Sequence, residues 1–194
     1  ILAAVSSLDR ATNYKTFIAR KGTVSPSKQS LYWPLIVATA NTLQLLDICK
    51  NAGDNGELQK ISFDAYIKSV VDAKEPGAQR LLRYKAIMQY AVNAEQRSRL
   101  LTLVGQTETF LGIIYAGEFL EDKELSRAAS NAVATLATAD LAHHGPQVTA
   151  LLKRAAEVID GPDASYTIDN INNHLNKLPK EEGFVSMFNG KDLS

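Results

Sequence analysis

TETFLGIIYAGEFLEDKELSRAASNAVATLA, residues 107–137, decides the fold class. Phe110, Leu111, Ile114, Ala116, Phe119 and Leu120 recur at the three- and four-residue spacing of one helical face. Thr107 offers an N-cap hydroxyl to this helix, and Glu108 behind it favours the positive end of the helix dipole. Asp122 then offers the cap of a second helix, in which Leu125, Ala128, Ala129, Ala132, Val133 and Leu136 fall within one arc of the helical wheel. Two short helices joined by so brief a turn lie side by side and nearly antiparallel.

The same hairpin recurs upstream. Residues 41–52 and 56–72 make one pair, turned at Asp54-Asn55-Gly56, with Leu43, Leu45, Leu46, Ile48, Phe63, Ile67 and Val70 as its core. Residues 76–92 and 94–105 make the next. Pro76 suits a first helical turn, where its missing N–H costs nothing, and Gly105 suits a helix end. The pairs begin near residues 41, 76 and 107, a period inside the ~20 to 45 residues of two-helix repeats.

On the N-terminal side, residues 12–21 and 27–39 form an earlier pair, with Pro34 kinking or delaying its second helix. On the C-terminal side, residues 147–159 and 164–178 form a last pair around Gly161-Pro162. The pattern predicts an all-α chain, a HEAT/armadillo-like α-solenoid in which about five short hairpins wind into a right-handed superhelix. That domain occupies residues 1–178. The segment KLPKEEG, residues 177–183, then has the proline and the charge of a linker.

The last residues break the helical pattern. GFVSMFNGKDLS, residues 183–194, sets Phe184 and Phe188 around Asn189-Gly190, a tight-turn signal because both central positions tolerate positive φ. Residues 179–194 thus read as a linker and the first strand of a second domain. This tail resembles the opening of the 3-keto-disaccharide hydrolase family, a concanavalin-like β-sandwich whose first strand commonly reads G-F-x-x-L-F-N-G-K-D-L. Phe184, Phe188, Asn189, Gly190, Lys191, Asp192 and Leu193 match, and Met187 stands where Leu is commoner.

HEAT-like repeats precede that domain in several bacterial proteins, and Glu95, Arg97, Leu100, Leu101, Val104, Gly105, Leu120, Asp122, Leu125, Ala129, Ala132, Leu136 and Ala137 resemble their unit. The resemblance covers a dozen residues of the hydrolase domain, whose catalytic part is expected beyond residue 194. It implies a glycosyl hydrolase of the bacterial periplasm, cell envelope or secreted fraction, with saccharide substrates for that domain.

Charge narrows the partners. The chain carries 21 Lys and Arg against 21 Asp and Glu, so it lacks the basic excess that phosphate neutralisation requires. No nucleic acid is expected, and a nucleic-acid-binding HEAT-like solenoid is the weaker alternative. No apolar run approaches the ~20 residues of a membrane span. The lone Cys49, among Leu45, Leu46 and Ile48, reads as a small buried hydrophobe.

No metal-ligand motif, phosphate loop or nucleophile motif appears, and no cofactor is expected. His143 and His144 are neighbours, about 100° apart on a helix, and cannot serve one metal as an i, i+4 pair would. They read as imidazoles at the negative end of a helix. An enzyme alternative sets Asp140, His143 and His144 in a helical cleft acting on glycans. His174, among Asn172, Asn173 and Asn176, reads as solvated. Trp33 beside Tyr32 reads as packed, with a sugar-stacking platform as the alternative.

Opposite the apolar stripes stand Arg99 and Thr102 in one pair and Lys123, Arg127 and Asn131 in the next, the row that stacked hairpins present on a concave face. No residue is assigned to catalysis. The expected function is a non-catalytic interaction or positioning module ahead of a carbohydrate-active hydrolase domain, its partner a protein or that domain, with saccharide as a further candidate.

Overall fold

A computed structural model describes residues 9–178, and the strand and turn expected at residues 183–194 lie outside them. The described chain is all-helical and contains no strand. By contact it divides between Ala91 and Val92 into two compact units.

The first unit opens with α1 (Arg10–Thr23), capped by Asp9, whose Oδ1 accepts from the Ala11 N–H at 3.1 Å. Pro34 acts as expected on the next segment. The chain there breaks into α2 (Pro26–Gln29), a 3₁₀ turn (Ser30–Tyr32) and α3 (Trp33–Thr39), with Pro34 in the first turn of α3, where a missing N–H is harmless. A capping box starts α4 (Thr42–Lys50). Asn41 Oδ1 accepts from Gln44 N at 2.9 Å while Gln44 Oε1 accepts from Asn41 N at 2.8 Å. Asn55 caps α5 (Gly56–Asp72) through Leu58 N at 2.9 Å, and Pro76 precedes α6 (Gly77–Met88).

The centre of this unit is α5, which packs against α3, α4 and α6. Phe63, Tyr66, Ile67 and Val70 fall on its buried side and are at most 2% exposed. Tyr66 enters the core because its hydroxyl donates to Arg83 O at 3.0 Å, and burial pushes its phenol up to about 12. Gln59 is buried on the same terms, its Nε2 donating to Tyr90 O at 2.8 Å. Cys49 is buried as expected, which raises its thiol and leaves it a packing residue.

Leu43 is a correction. It is 65% exposed, because it stands 200° around the helix from Leu45, and Leu45, Ile48 and Cys49 already define the buried side.

The second unit runs through α7 (Ala94–Val104), α8 (Phe110–Gly117), α9 (Ser126–Thr138), α10 (Pro146–Val158) and α11 (Ala164–Lys177). Asn93 caps α7 through Gln96 N at 2.9 Å. Thr109, not Thr107, caps α8 through Gly112 N at 3.1 Å. Thr107 is instead buried, its hydroxyl donating back to Val104 O, and Glu108 between them takes a positive φ of 55°. Leu111 is 67% exposed, set 200° from buried Ile113.

Every other helix of this unit packs against α9, and α8 also packs against α10. The composition of α9 permits this. Ala129, Ala132, Ala134 and Ala137 are buried beside Val133 and Leu136, and small side chains let backbones approach. A Cβ added at Gly105, the end of α7, would stand 3.3 Å from the Ala132 Cα.

One group in this packing is unfavourable. Ser130 on α9 is fully buried and its hydroxyl has no hydrogen-bond partner among the described residues. An unsatisfied buried hydroxyl costs ~1 to 3 kcal/mol, and Ala is the better helix former. Ser130→Ala is therefore expected to raise stability by ~1 kcal/mol in urea melts. A loss of that size would show the hydroxyl to be bonded.

Candidate functional site

The Asp140, His143 and His144 cluster sits beyond the end of α9, in the turn that leads to α10. Asp140 is exposed and its Oδ1 accepts from Ala142 N at 2.9 Å, an Asx turn that folds the loop. His143 Nδ1 donates to Leu136 O at 2.9 Å, so the ring satisfies an orphan carbonyl of α9's last turn. Its edge meets Phe110, with centroids 6.1 Å apart and planes at 63°. The nitrogen that an orienting carboxylate would hold in a catalytic pair is thus engaged by backbone. His144 is half-buried beside it.

His174, expected in solvent, is only 6% exposed. Its Nε2 is covered and has no hydrogen-bond partner among the described residues. Burial holds its imidazole below the ordinary histidine value, and the neighbouring Lys177 and His143 push the same way. Asparagines flank it in sequence, yet Ile171, Leu175 and Leu178 run at helical spacing, and residue 174 lies on their side of the helix.

All five residues of the expected polar row are exposed. Arg99 and Thr102 lie on α7, continuing to Glu95 and Gln106 in an exposed stripe, and Thr102 Oγ1 donates to Ser98 O at 3.1 Å. Arg127 and Asn131 lie one turn apart on α9, which packs against α7. Lys123 is not on that helix. Asp122 does not cap α9 but closes a turn, its Oδ1 accepting from Glu124 N at 3.0 Å and its carbonyl accepting from Leu125 N and Ser126 N, so the helix begins at Ser126.

The Arg127 guanidinium runs under the turn between α10 and α11. A Cβ at Gly161 would fall 2.6 Å from Arg127 Cζ, and the φ of +100° at Gly161 also requires glycine. A second arginine ties the α8–α9 connection to α10. Arg154 grips Glu121 through Nε at 2.6 Å and Nη2 at 2.8 Å and reaches Glu157 through Nη1 at 2.9 Å. Its guanidinium holds the Glu121 carboxyl below the usual range. Glu121 is therefore the acid of an ion pair.

In the first unit, the Trp33 face is taken by Lys21, whose Nζ stands 4.0 Å from the ring centroid. Trp33 and Tyr32 are half-buried, neither core nor an open platform. A groove of about 670 Å³ lies beside the start of α4, lined among others by Arg10, Thr39, Thr42, Lys68 and Ser69. Its polar groups serve the fold: Arg10 Nη2 donates to Ala38 O and Ala40 O, both at 3.3 Å, and Ser69 Oγ to Thr42 Oγ1 at 3.1 Å. Sequence reasoning marked no groove here, since Arg10 meets these carbonyls only in the folded chain.

No group of three or more His, Cys, Asp and Glu side chains is gathered for a metal ion among the described residues. No helix among them is long and apolar enough to cross a membrane. The described residues are all-helical, and the side-chain bonds named above cap, tie and pair their helices. The chain matches no family model, no curated protein and no solved structure.

Proposed function

We propose that residues 1–178 are a HEAT-like helical-repeat scaffold, without catalysis of its own, that positions a carbohydrate-active hydrolase domain or holds its protein partner. The observation that carries this reading is the use of Asp140 and His143, which are spent on the end of α9 and the turn after it. Further support comes from the packing of the second unit. There α9 lies against α7 and α11 as well as α8 and α10, and α8 against α10, as two stacked layers of hairpins require. The hydrolase partner rests on the FNGKDL resemblance of the tail.

The polar row on α7 and α9 and at Lys123 is the binding surface on this proposal. Acidic substitution there, Lys123→Glu with Asn131→Glu, changes exposed side chains and is expected to leave folding stability within ~0.5 kcal/mol. Calorimetric titration of residues 1–194 with the β-sandwich domain should show at least a tenfold loss of affinity in the double variant, ~1.4 kcal/mol. Equal affinity for the double variant and the wild type would remove the row from the interface.

A further inference from the structure

The helix α11 buries only two side chains against its neighbours, Ile171 and His174, where α9 buries seven. Half-buried Ile168, Leu175 and Leu178 extend the contact. One of its two anchors is therefore titratable. The covered, unpartnered Nε2 of His174 fits a neutral ring that carries its proton on Nδ1. An imidazolium in the same place would bury an N–H and a charge with nothing to receive them.

The groups facing the ring offer no compensation. Among the described residues, Lys177 on α11 and His143 from the turn after α9 are the charged or titratable groups that act on it, and neither is an acid. The side chains that α10 buries, Val148, Leu152 and Ala155, are apolar, and those of α9 are apolar but for Ser130. The C-terminal end of α11 favours a cation through its dipole, but burial is the larger effect, and the ring is harder to protonate than a free histidine.

We infer that His174 is a proton-sensitive latch: neutral, it holds α11 docked on α9 and α10, and protonated, it releases α11. The sign follows from the direction of the shift. An undocked His174 takes its proton near the ordinary value of ~6.5, and a docked one only at lower pH. Docking is at full strength above that ordinary value and is lost as pH falls through the lower, docked value. The other helices of the unit keep their apolar contacts, so release is local to α11.

The test is proton NMR of the His174 ring with hydrogen exchange of the backbone amides, on residues 1–194 between pH 7.5 and pH 5. The ring is expected to titrate below ~6.5, with the protection of α11 lost over the same interval and that of α9 retained. His174→Leu, with a non-titrating side chain, should keep α11 protected throughout. A His174 that titrates at or above the free value, or an α11 that loses protection equally in His174→Leu, overturns the latch. Should His174→Leu fail to fold, His174→Met decides by the same criterion, its α11 protection expected to be independent of pH; protection lost as in the wild type counts against the latch.

Discussion

Leu101→Ala and Leu125→Ala are each expected to destabilise the second unit by ~2 to 5 kcal/mol, the cost of deleting a fully buried Leu side chain together with the cavity left behind. Leu101 is 0% exposed on α7 and Leu125 1% exposed at the start of α9. Neither site can relax easily, since α9 is covered by every other helix of its unit. Arg127→Ala is the contrast. Its exposed guanidinium lies against the Gly161 backbone, and its loss removes packing of a long stem without opening a sealed cavity. A cost of ~1 kcal/mol or less is expected there. Urea melts giving equal and small losses at all three positions would place the core elsewhere.

Phe63→Ala is expected to be the most damaging truncation in the first unit, at ~3 to 5 kcal/mol. The ring is 0% exposed on α5, the helix that contacts α3, α4 and α6, so no solvent can enter the space it vacates. Loss of cooperative unfolding at 25 °C would agree with this, because such a cost is a large share of a domain's ~5 to 15 kcal/mol. A cost below ~1 kcal/mol would mean that α5 is not the centre of its unit.

These sites were open to sequence reading for a physical reason. Phe63, Ile67 and Val70, like Leu101 and Val104, repeat at 3.6 residues, and burial follows that period directly. Helix starts were legible where a short turn leads straight into the apolar pattern: residues 56–72 were expected as a helix and α5 spans Gly56–Asp72, its start held by Asn55. They were misplaced where two residues competed. Thr107 and Thr109 both suit a cap, and only the positive φ at Glu108 makes the second one serve. Asp122 looks like a cap, yet its carboxylate and carbonyl fold a turn that delays α9 to Ser126.

The candidate site was less legible, because it depends on contacts distant in sequence. Nothing local says that Arg127 will lie beneath Gly161 or that Glu121 will meet Arg154, whereas His143, seven residues after Leu136, takes the helix-end place its sequence suggests. His174 is the sharpest case. Its neighbours in sequence are asparagines, whereas its neighbours in space are the helices on which α11 docks.

The proposed scaffold, without an active site, is tested by a turnover assay of residues 1–194 with glycosides and 3-keto-glycosides. Product release should not exceed the uncatalysed rate, and His143→Ala and Asp140→Ala should change nothing in it, since both side chains are engaged in the turn after α9. Turnover by residues 1–194 that either substitution abolishes would contradict the scaffold and make that turn a catalytic one.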